Sequence, residues 1–137
     1  MKKHPLFILI ALLTALACSD QEDEEPNTND PLVGNWYLIA VEQNGQTVEI
    51  SDQPCIKDSR LDVGPSTMTL SLSAPRQQGS TDCQTESSSI NWLNDNGTYY
   101  VVEDGDRKPA IFALEPNNQL TVDITLDDTP LALIFTK

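Results

Sequence analysis

The chain has 137 residues, a length that favours one folded domain, and its 21 acidic and eight basic residues give a formal net charge of −13 at pH 7. Hydrophobic residues make up 39% of the chain, enough for a core, so we do not expect a wholly disordered protein. The excess of negative charge argues against nucleic acid as a partner.

The first seventeen residues have the organisation of an export signal. Lys2 and Lys3 precede an apolar run over residues 6–17 that only Thr14 interrupts. Twelve residues would form a helix of about 18 Å, too short for the roughly 30 Å hydrocarbon core of a membrane. Residues 1–17 are therefore predicted to be a signal peptide that is removed on export.

The end of this run predicts lipidation. The sequence Ala15-Leu16-Ala17-Cys18 resembles the bacterial lipobox, in which the cysteine thiol is diacylated and becomes the new N-terminus. Ala15 to Ala17 also fits an ordinary signal peptidase site, and both routes cut before Cys18. Because an unmodified Cys18 would be an exposed free thiol, we expect it to carry a lipid that anchors the protein to a membrane.

Residues 18–31 are predicted to form an acidic tether. From Ser19 to Pro31 there are six acidic residues and no basic one, so the segment cannot bury apolar surface and should be flexible. Its first part, SDQEDEE, resembles the export signal of surface-displayed Bacteroidetes lipoproteins, although an ordinary solvated linker is the alternative. The expected location is the cell envelope, as an outer-membrane lipoprotein that is surface-exposed if the signal operates.

Residues 32–137 alternate between apolar and polar side chains, which is typical of half-buried strands. Met68, Leu70 and Leu72 alternate with hydroxyl residues, and the same pattern recurs over residues 120–127. Turn sequences such as Asn44-Gly45 and Asn96-Gly97 separate the runs. The fold class is therefore all-β, a small antiparallel up-and-down barrel of about eight strands. Besides the strands at 67–73 and 120–127, strands are predicted at 35–43, 47–50, 60–63, 88–93, 98–102, 110–114 and 131–136.

Two cysteines remain in this domain, Cys55 and Cys83. An even pair in an exported chain predicts a disulfide, which would close a loop of about 28 residues and contribute roughly 3–4 kcal/mol on the chain-entropy model. No metal site is expected, because the only histidine, His4, is removed with the signal peptide.

Several short motifs resemble a known family. Residues 32–36, Leu-Val-Gly-Asn-Trp, followed by Asn44-Gly45, are similar to the opening strand of lipocalin-like domains in Bacteroidetes lipoproteins. The segment from Cys55 to Leu61 resembles their recurring Cys-x-Lys-Asp motif, and LALIFTK at 131–137 resembles their last strand. The resemblance implies an eight-stranded barrel whose tryptophan, here Trp36, plugs one end. True lipocalins pack an arginine of the last strand over that tryptophan, whereas the last strand here contains no arginine and has Lys137 instead.

The domain lacks the residues of common catalytic systems. With no histidine, no free cysteine and no glycine-rich phosphate loop, nucleophilic triads are excluded, and we expect neither enzyme activity nor a cofactor. The acidic groups at 103–106 and 127–128 could in principle serve glycoside hydrolysis, and 94–97 and 103–106 could contact Ca²⁺. All of them lie beside turn residues, so solvated turns are the favoured interpretation.

Four aromatic residues are the candidate ligand site: Trp36, Trp92, Tyr99 and Tyr100. They would either line a pocket for a small hydrophobic ligand or simply fill the barrel, whose interior is about wide enough for side chains alone. Because Tyr99 and Tyr100 are consecutive, one should face outward. The function expected is a lipid-anchored binding module for a small hydrophobic molecule, and the alternative is a surface module that engages a protein partner with a filled barrel.

Overall fold

The computed structural model describes residues 28–137. The predicted signal peptide, Cys18 and residues 19–27 of the tether lie outside the described residues. Within the described range, no helix has the length and apolar character needed to cross a membrane.

The described chain is all-β and antiparallel, which confirms the predicted fold class. A single 3₁₀ helix, Ile56–Asp58, interrupts the strands in this part of the chain. In chain order the strands are β1 (Gly34–Gln43), β2 (Gln46–Glu49), β3 (Arg60–Val63), β4 (Thr67–Pro75), β5 (Cys83–Asp95), β6 (Thr98–Glu103), β7 (Asp106–Pro109), β8 (Phe112–Leu114), β9 (Gln119–Leu126) and β10 (Thr129–Thr136).

The strands form one sheet that curls into a half-barrel. Its order is β7-β6-β5-β4-β3-β1-β10-β9-β8, and β2 pairs with β1 beyond the end of β3. The two outer strands, β7 and β8, are separated in sequence only by Ala110 and Ile111, and no ladder joins them within residues 28–137. There are ten strands in this range rather than about eight. Strand β2 corresponds to the predicted strand at 47–50, whereas β7 has no predicted counterpart and pairs with β6 before the chain pairs with β9 as β8.

The hairpin turns follow the sequence signals. Asn44-Gly45, Asn96-Gly97 and Asp104-Gly105 all have positive φ at both residues, the conformation that two-residue β-hairpin loops require. Asp127 and Asp128, between β9 and β10, also have positive φ. These acidic and amide residues are therefore parts of tight turns.

The apolar positions of the alternating pattern face one interior. Trp36, Met68, Leu120 and Phe135 are almost completely buried there, on β1, β4, β9 and β10 respectively. A register shift between Leu38 and Ala40 bends β1 where its partner changes from β3 to β2. Alternation with period two thus places the core on the concave face of the sheet.

The predicted disulfide is confirmed. Cys55 and Cys83 are bonded, with their Cα atoms 5.4 Å apart. The bond joins the segment that leads into the 3₁₀ helix to the first residue of β5. Next to it, the buried Ser59 accepts a hydrogen bond of 2.9 Å from the backbone N–H of Ser73, which fixes the same segment to β4.

Candidate functional site

An apolar groove runs along the concave face of the half-barrel. Its inner part, about 100 Å³, is lined mainly by aliphatic side chains of β4, β5 and β9, with Phe112 of β8 at its floor. Its outer part, about 340 Å³, is lined by Leu70, Leu72 and Ala74 of β4 and by Leu126 of β9. Leu70 and Ser88 line both parts, so the two are consecutive compartments of one groove.

The polar lining of the groove lies at its outer part. Gln84 and Glu86 of β5 line this part, as do Ser87 and Ser88. No basic side chain contributes to the lining of either compartment. Leu126 is 54% exposed, so its apolar side chain is accessible at this mouth. The groove can therefore hold an apolar group internally and meets water at a rim whose one charge is negative.

The opposite end of the half-barrel is closed by aromatic rings. The ring centroids of Trp92, Tyr99 and Phe112 lie 5.7–6.5 Å from one another, in tilted and edge-to-face arrangements. Such arrangements are favourable between aromatic rings. Because Trp92 and Tyr99 lie on β5 and β6 and Phe112 lies on β8, these contacts connect the two ends of the sheet without backbone pairing.

Asp30 holds the chain N-terminal to β1 against this closed end. Its carboxylate accepts hydrogen bonds from the Tyr99 hydroxyl at 3.0 Å, from the Asn94 amide at 2.7 Å and from the Leu32 backbone N–H at 2.9 Å. Burial, followed by the hydrogen bond and the negative charge of Asp30, raises the pKa of Tyr99 to about 12. Asp30 and Pro31 precede the predicted start of the domain at Leu32, and both nevertheless contact it.

Trp36 is covered by Lys137. The Trp36 indole N–H donates to the Leu32 carbonyl at 2.8 Å, and the Lys137 ammonium lies 4.9 Å from the Trp36 ring centroid. That ammonium also donates to the carbonyls of Pro31 and Val33, at 2.7 and 3.0 Å. The terminal lysine thus places a cation over the ring of Trp36 and fixes the residues just before β1.

The four predicted ligand-site residues divide between the closed end and the outer face. Trp36, Trp92 and Tyr99 face inward at the closed end, and Trp92 also donates to the Gly64 carbonyl at 2.9 Å. Tyr100 lies on the other face of β6, where the Arg107 guanidinium is 5.7 Å from its ring centroid. None of the four lines either compartment of the groove.

The groove residues themselves were not singled out from the sequence as a site. The alternation over β4 and β9 did indicate which side chains face inward, so the aliphatic lining could have been found from it. No local pattern predicts the role of Asp30, because it is the last acidic residue of a polar segment. Its partners Asn94 and Tyr99 are more than sixty residues away.

Two of the candidate carboxylates form ion pairs at the surface. Glu103 pairs with Lys108, whose hydrogen bond and charge lower the pKa of the Glu103 carboxyl. Asp95 pairs with Arg107 at 2.8 Å. Across residues 28–137, no group of histidine, cysteine, aspartate or glutamate side chains is arranged to hold a metal ion.

The geometry of the groove is thus the feature from which a function can be argued. The chain matches no protein-family model, no curated protein and no solved structure.

Proposed function

We propose that this chain is an exported, lipid-anchored and non-catalytic binding protein that holds a small hydrophobic ligand in the groove. The observation that carries the proposal is an aliphatic groove that is closed at one end by Phe112 and open at Leu72 and Leu126. Ligand pockets in proteins are commonly apolar, with a few polar groups that orient the ligand.

The two compartments suggest how such a ligand sits. Pockets for small molecules have volumes of about 300–1,000 Å³, and the outer compartment alone, about 340 Å³, reaches this range. The inner compartment, about 100 Å³, suits a short hydrocarbon end, since apolar cavities of roughly 150 Å³ accept benzene. The apolar end of the ligand would enter past Ser88 and its polar end would remain beside Gln84 and Glu86.

Two fluorescent probes test the ligand site: the neutral N-phenyl-1-naphthylamine and a dansyl-labelled fatty acid. We expect a saturable rise in fluorescence with at least the neutral probe. The substitution Ser88→Phe places a ring at the junction of the compartments without removing a core side chain, so it should weaken binding at least about tenfold.

The matched control is Ser89→Phe. Ser89 is the next residue of β5 and lies on the outer face, where its hydroxyl bonds to Thr69 at 2.8 Å. This variant should bind the probes as the native protein does. Absence of probe binding to the native protein, or equal loss in both variants, would contradict the proposed ligand site.

The anchor and the location rest on the sequence. The lipobox-like Ala15-Leu16-Ala17-Cys18, the acidic residues after it and the resemblance to Bacteroidetes lipocalin-like lipoproteins support an outer-membrane lipoprotein. Metabolic labelling with a fatty acid should mark the native protein and not a Cys18→Ala variant. Protease treatment of intact cells then reports surface display.

The alternative function is a surface module that binds a protein partner. The observation that favours it is the closed end, where Trp36, Trp92 and Tyr99 pack among themselves and their neighbours instead of lining the groove. Failure of every apolar probe to bind would leave this alternative as the better explanation of the fold.

A further inference from the structure

Half of β5 is paired on one side only. Its ladder with β4 runs from Asn91 to Cys83, whereas its ladder with β6 covers only Asn91 to Asp95. Within the described residues, β5 therefore has an open edge over residues 83–90, a length of about 26 Å for an extended chain.

The hydrogen-bonding pattern between β4 and β5 shows which backbone groups of β5 face the open edge. The Trp92 N–H donates to Ser66, on the β4 side, so the N–H and C=O groups of even-numbered β5 residues point toward β4. Those of the odd-numbered residues point away from it. Cys83, Thr85, Ser87 and Ser89 consequently present their N–H and C=O groups along the open edge.

The two strands at the ends of the sheet, β7 and β8, are protected against added strands, whereas the open edge of β5 is longer and contains neither a basic residue nor a proline. Strand β7 contains Arg107, Lys108 and Pro109, and β8 is only three residues long. Charged residues, prolines and short length are the means by which proteins block pairing at sheet edges. The β5 edge contains no lysine or proline, and its ladder with β4 has no register shift.

The exposed half of β5 is nevertheless held firmly to the sheet. Hydroxyl pairs join it to β4 on the outer face: Thr69 to Ser89 at 2.8 Å, Ser71 to Ser87 at 2.9 Å and Ser73 to Thr85 at 2.7 Å. The disulfide fixes its first residue, Cys83. A strand edge fixed in this way lowers the ordering cost of pairing with another chain.

We propose that the open edge of β5 binds an extended basic peptide segment as an added strand. Backbone groups that alternate in direction along the edge are satisfied by an extended chain, which is the basis of β-strand addition. Every second side chain of that chain would lie on the concave side of the sheet, next to Gln84, Glu86 and Ser88 of β5 at the groove mouth.

The charge around the edge argues for a basic partner. Glu86 lies on the edge itself, and the β6–β7 turn with its acidic residues begins where the edge ends. Asp127 and Asp128 follow Leu126 directly at the other side of the groove mouth. Lys108 and Arg107 are engaged with Glu103 and Asp95, so they offset only part of this charge. A second copy of this acidic chain would be repelled, whereas lysine and arginine side chains would be attracted.

A fluorescein-labelled peptide of about nine residues, alternating lysine and valine, tests the proposal, because it spans the edge. We expect saturable binding by fluorescence anisotropy that weakens as salt is added. A glutamate–valine peptide of the same length should bind at least about tenfold more weakly. A lysine–valine peptide that is N-methylated at alternate residues has the same charge but cannot donate along the edge, so it should also lose about tenfold.

The protein variants are Ser87→Pro and its control Ser87→Ala. Proline removes the outward-pointing N–H of residue 87 and blocks the edge, while it leaves the even-numbered ladder bonds to β4 in place. Alanine removes the same hydroxyl and keeps the N–H. We expect Ser87→Pro to bind the peptide about tenfold more weakly than Ser87→Ala, with the fluorescence of the buried Trp36 and Trp92 unchanged.

Equal binding by both variants, or by the methylated and unmethylated peptides, would overturn strand addition. If Ser87→Pro does not fold, the comparison of the two peptides tests strand addition by itself. Equal binding of the acidic and basic peptides would overturn the basic partner. Self-association that Ser87→Pro abolishes and that excludes the peptide would also overturn it, in favour of a second copy. None of these outcomes bears on the proposed ligand site, which the Ser88→Phe variant tests separately.

Discussion

The most connected single residue at the closed end is Asp30. Three donors from three different parts of the chain, Leu32, Asn94 and Tyr99, bond to its two carboxylate oxygens. Hydrogen bonds to an ionised acceptor are stronger than those between neutral groups. Because one of the donors is itself titratable, the strength of this connection depends on pH.

Alkaline pH should weaken the Tyr99–Asp30 connection. The pKa of Tyr99 is raised from 10.0 to about 12, so the folded protein favours the protonated hydroxyl. The corresponding stability is fully present below pH 10 and is lost as the pH rises through 12. Urea unfolding of the native protein and of Tyr99→Phe should therefore show a difference in free energy of unfolding that narrows between pH 9 and pH 12. Tyr37 and Tyr100 are present in both proteins, and a pH-independent difference would contradict the prediction.

At the scale of elements, strands with an alternation of apolar and polar residues form where the sequence predicts them. Strand β5 continues beyond the residues that alternate. The sequence predicted a strand at 88–93, whereas β5 begins at Cys83. The first half of β5, Cys-Gln-Thr-Glu-Ser, has no apolar alternation, since both of its faces are exposed. It is strand because of cross-strand hydroxyl partners and a cysteine partner that are remote in sequence, and a local pattern does not contain such information.

The same argument applies to the closed end and to the groove. Trp36 was predicted from a local motif to lie at one end of the sheet, but the ammonium over it comes from Lys137, a hundred residues away. The alternation on β4 and β9 indicated the inward-facing side chains, yet the volume left between them depends on how the whole sheet curls. Composition could suggest an aromatic-lined site, and only the packing places those rings at the closed end.

The Cys55–Cys83 bond should stabilise the fold by restricting the unfolded chain. Replacing both cysteines by alanine removes the cross-link between two residues that are 28 positions apart in the sequence. This should lower the free energy of unfolding by roughly 3 kcal/mol. Urea denaturation followed by tryptophan fluorescence measures this difference. Reduction of the native protein is the matched control and should give a similar loss; an unchanged midpoint in both would show that the disulfide does not stabilise the fold.

At the scale of the whole molecule, the half-barrel has a tightly packed end and an open end. Trp36, Trp92, Leu120 and Phe135 are buried at or near the closed end, with 2% exposure or less. The open end consists of the first half of β5, the four-residue β2 and the β9–β10 turn, whose side chains are mostly exposed. Local opening is easiest where few buried apolar contacts hold the backbone, so stability should decrease from the closed end to the open end.

Amide hydrogen exchange should show this gradient and, within β5, an alternation. Amides in the β1–β10 ladder should exchange slowest, because they pair beside the buried Trp36, Leu38 and Phe135. In the first half of β5, the even-numbered amides bond to β4 and should be protected, whereas the odd-numbered ones point to the open edge and should exchange rapidly. The two sets lie on the same strand and share the same local opening, so each is the control for the other. NMR measures the exchange of each amide separately, and equal protection of both sets would contradict the open edge.

Addition of the lysine–valine peptide should slow the exchange of the odd-numbered amides, because the peptide would accept hydrogen bonds from them. This result would show that the peptide binds at the edge that the curl of the sheet leaves open.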